Sequence, residues 1–325
     1  MSISSYIKDN QKILYQTFYN ALSQDKVAHV YLLCGVKGIP LKEIATYLGK
    51  SLMCDHPTPF ADEECKTCKR IDSNNVPDFL VLDGKNESIK RGDVDNLIDA
   101  FSSSSFEDRD IKVYIINQIE NAVPEALNGL LKFLEEPPAH TYGILTTENV
   151  NKILPTIISR CQVVKLVPVP REKVISGSLE LKIEQKDAEL LSFLCNDPAI
   201  IASLVDEDSY QNLKDAFEET IYNFSLGEAT SRFILETKVL PLLNKKPILR
   251  DYFDLLTYFF EDLLSFKEGG SIKLNNYAKL IKDLAIDLPH LDNTLLGIMN
   301  IKREIELYIN STLLLFRLNC LIFEE

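Results

Sequence analysis

The sequence predicts an α/β chain: a five-stranded parallel sheet enclosed by helices, followed by a C-terminal half made of helices alone. Two observations predict it. Short runs of β-branched, aromatic and leucine residues recur at 30–33, 79–82, 113–116, 142–147 and 163–166. They are too apolar for strands with one wet face, and helical patterns separate them, as in a sheet built from βαβ units. From about Ser209 onward the apolar residues recur every three or four positions and no strand run is left. The expected organisation is a core over 1–168, a small helical segment over 169–207 and a helical domain over 208–325.

In chain order, 5–28 reads as a helix on the face Ile13, Leu14, Phe18, Ala21 and Leu22. The run Val30-Tyr31-Leu32-Leu33 is the first strand and Phe79-Leu80-Val81-Leu82 the second. Val94, Leu97 and Ile98 mark a helix over 93–101. Val113-Tyr114-Ile115-Ile116 is a strand buried on both faces. After it, Pro124 suits a first helical turn, and Ala126, Leu127, Leu130, Leu131 and Leu134 share one helix face. Pro137-Pro138 ends that helix, since neither residue offers an N–H. Strands at 142–147 and 163–166 complete the sheet, and Pro168-Val169-Pro170 reads as a linker. Beyond it, 188–194 and 199–204 are helical, the latter behind Asp197-Pro198 as cap and first turn. Three apolar stripes follow: Leu213, Phe217, Ile221 and Phe224; then Tyr252, Leu255, Leu256, Phe259 and Phe260; then Ile305, Leu307, Ile309, Leu313 and Leu314. Gly269-Gly270 breaks two helices.

The totals narrow the function. With a formal net charge of −13, the chain has no excess of cations to spread over a phosphate backbone, so any DNA contact is expected to be local or left to partners. The apolar stretch 313–323 is interrupted by Arg317 and Asn319 and is too short for a bilayer. No basic-then-apolar leader opens the sequence. A soluble cytoplasmic protein is expected, with no membrane partner, and its seven cysteines read as thiols or metal ligands.

Three places carry chemistry. A phosphate loop would follow the first strand, where G-x-x-x-x-G-K-[ST] presents backbone amides, a lysine and a hydroxyl to a nucleotide and Mg²⁺. Counting from Gly35, Pro40 stands for the second glycine, Leu41 for the lysine and Lys42 for the hydroxyl residue. Pro40 removes an amide donor, Leu41 brings no charge, and Lys42 is turned about 100° from the needed direction on a helix. An ordinary strand-to-helix turn that binds no ATP is the expectation. At the end of the third strand an ATPase needs an acid pair for Mg²⁺ and water, but Asn117-Gln118 are uncharged amides. Cys54 and Cys65-Lys66-Thr67-Cys68 have the residue type and C-x-x-C spacing of a tetrahedral structural zinc site.

Leu130-Leu131-Lys132-Phe133-Leu134-Glu135-Glu136-Pro137-Pro138, followed by Ser159-Arg160-Cys161, closely resembles bacterial clamp-loader ATPases of the AAA+ class. The resemblance covers about the first half through motifs and the remainder through architecture. It implies an AAA+ core, a helical lid and a helical collar. Aligned on Val76-Pro77-Asp78, it implies a structural zinc held by Cys54, Cys65, Cys68 and Asp62, with His56 as an alternative fourth ligand. A polar γ-phosphate sensor of the family would fall near Thr147 or Asn149. It further implies that Arg160, flanked by Ser159 and Cys161, projects in trans into the ATP site of a neighbouring subunit. The implied partners are gamma/tau-type ATPases and a delta subunit in a hetero-pentamer, and through that assembly a sliding clamp and primed DNA. ATP would then be bound by the neighbour. Two rivals stand beside this: an active motor subunit with an unorthodox phosphate loop, and a zinc-loop scaffold of another DNA-repair complex.

Overall fold

The computed structural model describes residues 2–323, apart from 86, 103–109, 244, 289 and 306–309. The third predicted stripe therefore loses Leu307 and Ile309, which lie outside the described residues. The chain divides into two compact units, Met1–Pro170 and Arg171–Glu325.

The first unit holds the parallel sheet: β1 (Val30–Cys34), β2 (Phe79–Asp83), β3 (Lys112–Asn117), β4 (Thr141–Thr147) and β5 (Gln162–Lys165). Their order across the sheet is β2-β3-β4-β1-β5. Burial follows that order. Every residue of β1 and β3 is buried, whereas the edge strand β2 is half-buried throughout and the edge strand β5 is exposed except at Val164. Central strands have helices on both faces, so their sequences carry no alternation. The helices are α1 (Ile3–Asn10), α2 (Lys12–Ser23), α3 (Leu41–Met53), α4 (Lys66–Asp72), α5 (Arg91–Ser102), α6 (Pro124–Glu135) and α7 (Pro155–Ile158).

Three sequence expectations need correcting. The helix expected over 5–28 is two helices that end at Ser23, with a break at Gln11. There the Gln11 side chain forms a two-way bridge with the backbone of Val167, donating to its carbonyl at 2.7 Å and accepting from its N–H at 3.0 Å. On α6 the buried face is Ala126, Leu127, Leu130, Phe133 and Leu134. Leu131 packs half-buried at its margin, and Phe133, not expected on this face, joins it because it reaches the ring of Tyr114, 5.3 Å away between centroids. Leu313, placed on an apolar stripe, is half-exposed, and the neighbouring Leu314 is buried.

The second unit is helical: α8 (Arg171–Glu180), α9 (Gln185–Leu191), α10 (Pro198–Leu204), α11 (Asp208–Asn223), α12 (Glu228–Ile234), α13 (Leu240–Leu242), α14 (Lys246–Lys267), α15 (Ala278–Asp287), α16 (Leu291–Ile305) and α17 (Ser311–Phe323). Its core is aromatic, with Phe217, Tyr252, Phe259 and Phe260 fully buried. Helix α9 buries two carboxylates, and both are satisfied. Asp187 accepts from the Tyr210 hydroxyl and pairs with Lys214, each at 2.6 Å. Glu189 accepts from the backbone and side-chain amides of Asn276 at 2.9 and 2.7 Å. Buried carboxylates with full partners join α9 to the helices after residue 208 through directional contacts.

Tyr114 on β3 lies directly opposite Gly143 on β4, and a Cβ at 143 would overlap the Tyr114 phenol ring. That ring is wholly buried and also packs on Phe101, so it has nowhere to move. Gly143→Ala should therefore lower unfolding stability by about 1–3 kcal/mol. Urea denaturation checks this, and an unchanged midpoint would mean that the sheet tolerates the methyl.

Candidate functional site

In a parallel sheet the carboxyl ends of the strands converge on one edge, where ligands ordinarily bind. Here that edge carries Gly35 after β1, Asp83 at the end of β2, Asn117 and Gln118 at the end of β3, and Thr146 and Thr147 at the end of β4. The turn after β1 turns its polar backbone inward. The Gly35 N–H donates to the Thr147 carbonyl at 3.0 Å, Ile39 N–H to Val36 at 3.3 Å and Leu41 N–H to Ile39 at 2.7 Å. Ile39 and Leu41 are both buried, and their side chains pack over Gly35. Pro40 caps α3 with no side-chain hydrogen bond. Where an active loop would hold amides open around a phosphate, this turn holds two apolar side chains.

Lys42 extends to the sheet edge and forms an ion pair with Asp83 at 2.6 Å. Asp83 also accepts from the Asn117 side-chain amide at 2.8 Å and the Lys85 backbone N–H at 3.0 Å. Burial works against its ionised form, but these donors prevail and hold its carboxyl below the ordinary range. The Asn117 side-chain oxygen Oδ1 accepts from the Thr146 hydroxyl at 2.7 Å, and the Thr146 hydroxyl oxygen accepts from the Gln118 N–H at 2.9 Å. Gln118 adopts a left-handed backbone with φ 51° and donates its side-chain amide to Glu148 at 3.2 Å. The groups at the Mg²⁺ and water positions thus belong to a closed chain of hydrogen bonds across three strands. Thr147 and Asn149 are also engaged locally: the Thr147 hydroxyl accepts from the Asn149 N–H, and the Asn149 side chain caps the next turn.

Arg160 lies on the surface between α7 and β5. It donates to the Thr156 carbonyl at 2.6 Å and to the Ser159 hydroxyl at 3.3 Å, and it pairs with the Glu135 carboxylate at the last residue of α6. Cys161 turns inward against the sheet core, where burial first and then Cys34 push its thiol up to about 12.

Beyond α3 the chain gathers a third constellation. One ligand atom each from Cys54, Asp62, Cys65 and Cys68 lies within 4.8 Å of the other three. Cys54 follows the end of α3, and Cys65 caps α4 by accepting from the Cys68 N–H at 3.4 Å. Asp62 accepts from the Cys65 and Glu64 amides at 3.0 Å each; the Cys65 amide is the main reason its carboxyl sits at about 2. Burial raises the Cys54 and Cys68 thiols, and neighbouring sulfurs raise Cys68 further. The Cys54 and Cys65 sulfurs are 3.8 Å apart. That matches the edge of a tetrahedron with metal–sulfur bonds of ~2.3 Å. The cluster is thus a metal-capable set of three sulfurs and one carboxylate, and His56 is not a member of it.

Residues 10–170 match the protein family described as "DNA polymerase III, delta subunit". Over these residues the chain belongs to the DNA polymerase III delta-subunit family. It is 28% identical over 296 residues to subunit delta' of Bacillus subtilis, covering 90% of each chain. To subunit gamma of Buchnera aphidicola from Acyrthosiphon pisum it is 35% identical over 172 residues, which is 52% of this chain and 47% of that one. A gamma subunit-related protein from Thermotoga maritima shares 20% identity, with a TM-score of 0.48, over 89% of this chain and 99% of that one.

Within this member of the family the structure joins residues that sequence alone left apart. Asp83 and Thr146 had no motif to mark them, and Glu135 was read only as part of the α6 wording. A polar residue closing a buried strand was the available signal for Asp83. Among the described residues, no helix is long and apolar enough to cross a membrane.

The Asp83–Asn117 contact makes a direct prediction. Asn117→Asp puts a second carboxylate against Asp83, raising the folded-state pKa of the pair above the ordinary ~3.9. A raised carboxyl pKa destabilises at neutral pH, and the loss is recovered as pH falls through it. Melting temperature should drop at pH 7.5 and recover toward pH 4.5, and Asp83→Asn in the same chain should restore it. A deficit independent of pH would disprove the repulsion.

Proposed function

We propose that this chain is a delta'-type subunit of a DNA polymerase III clamp loader, inert toward nucleotide itself, that supplies Arg160 in trans to the ATP site of an adjoining gamma/tau-type motor subunit. One contrast carries the reading. The phosphate turn is filled by Ile39 and Leu41, and Asp83, Asn117 and Thr146 bind one another, while Arg160 stays at the surface within an intact Ser159-Arg160-Cys161. What would act on a bound nucleotide is used up internally, and what would act on a neighbour's nucleotide remains presented. The long match to the B. subtilis delta' subunit supports the subunit type.

Arg160 would place its guanidinium beside phosphate oxygens where negative charge grows during transfer, a role suited to its fixed fork of donors. The core over 1–168 would carry that arginine, the segment 169–207 would form the lid and 208–325 a collar. Exposed Phe233, Leu296, Leu313 and Phe316 on α12, α16 and α17 are apolar surface of the kind that subunit packing covers. In this reading the partners are gamma/tau and delta subunits in a hetero-pentamer that works in the cytoplasm and acts on a sliding clamp at primed DNA. Cys54, Asp62, Cys65 and Cys68 would hold a structural Zn²⁺, which supplies cross-linking of the loop and leaves no open position for catalysis.

Arg160→Ala should leave the fold intact and slow single-turnover ATP hydrolysis at the adjoining site of an assembled loader by roughly a hundredfold or more. The chain alone should be silent. Unaltered hydrolysis in the assembly, or turnover by the chain alone, would refute the reading.

Purified chain should contain about one zinc, with tetrahedral sulfur-rich coordination. Cys68→Ser should lower both the metal content and the melting temperature; metal analysis finding none in the wild type would exclude the site.

A further inference from the structure

We propose that Glu135 is a positioning residue for Arg160, holding the guanidinium in the orientation in which it meets the neighbour's phosphate. This rests on the trans-arginine reading above and adds to it the residue that orients the arginine.

Glu135 is the last residue of α6, whose buried face of Leu130, Phe133 and Leu134 anchors the helix in the sheet core. The carboxylate therefore projects from a rigid base. It takes one Nη2–H of Arg160, while Nη1 is held by the Thr156 carbonyl and the Ser159 hydroxyl. Three acceptors on two separate segments fix a side chain that would otherwise be among the most mobile on a surface. A guanidinium has five N–H donors. The contacts use Nη1 and one Nη2–H, leaving Nε–H and the second Nη2–H for a ligand, and the side chain is still 30% exposed. The arginine is thus fastened by one end and open at the other.

The position of Glu135 points the same way. A carboxylate at a helix C-terminus faces the negative end of the helix dipole, and Glu136 follows immediately. Two acids there oppose the local field, and the Arg160 cation offsets it. Both members of the pair are partly exposed, so the pair adds little to folding stability. Its effect falls on the orientation of Arg160, whose ordering cost would otherwise be met when the neighbour's phosphate is engaged.

The test uses the assembled loader with its other ATP sites inactivated. Glu135→Ala should reduce single-turnover hydrolysis roughly two- to tenfold, the range corresponding to one rotamer-rich side chain left unordered. The KM for ATP and the melting temperature of the chain should not change. Glu135→Gln, which keeps an acceptor, should recover most of the rate. Adding Glu135→Ala to Arg160→Ala should cost nothing further. If Glu135→Ala matches or exceeds the wild type while Arg160→Ala is slow, the positioning role is overturned and the arginine role stands. If Arg160→Ala is itself as fast as the wild type, both are overturned.

Discussion

Three adjacent strands with no exposed face set the terms for the first unit. β3, β4 and β1 lie at the centre of the sheet, and helices pack on both sides of them. A polar side chain on such a strand has one economical place, the end, where it leaves the apolar layer. Parallel pairing then brings the ends of all strands to a single edge, with Asp83 opposite Asn117 and Cys34 opposite Thr147. Whatever polar groups close the strands must therefore meet, and they must be satisfied there or by a ligand.

In this chain they satisfy one another. Each substitution away from an ATPase pattern has a structural counterpart. Leu41 puts an apolar side chain where a lysine would stand, Lys42 finds a carboxylate on β2, and Asn117 uses both faces of its amide on Asp83 and Thr146. An acid at 117 would meet Asp83 at hydrogen-bond distance, so the uncharged amide and the carboxylate beside it are matched. The edge is a hydrogen-bonded surface in which the polar strand ends serve one another.

The cysteine cluster and the α9 carboxylates both rely on directional contacts. At the cluster the contacts are local: Asp62, at the surface, accepts from the amides that open α4 and lies beside Cys54. On α9 the carboxylates are buried and their partners come from distant parts of the chain. Asp187 and Glu189 bind Tyr210, Lys214 and Asn276. In both cases the contact is directional, so it specifies an arrangement as well as stabilising it.

The sequence by itself determined the elements. Each strand announced itself as a short apolar run, Pro124 and Pro137 bounded α6, and the C-x-x-C spacing located the metal-capable loop. These are local facts, because side-chain sterics, periodicity and proline geometry act over a few residues. Only the tertiary structure decided who meets whom. Asp83 and Asn117 are 34 residues apart, Thr146 and Asn117 are 29 apart, and Arg160 and Glu135 are 25 apart. The break at Gln11 was invisible because its partner, Val167, is 156 residues away. Phe133 joined the buried face because Tyr114 stands opposite it. A local pattern says that a residue will be buried or charged; strand order and register choose its neighbour, and the neighbour sets its chemistry.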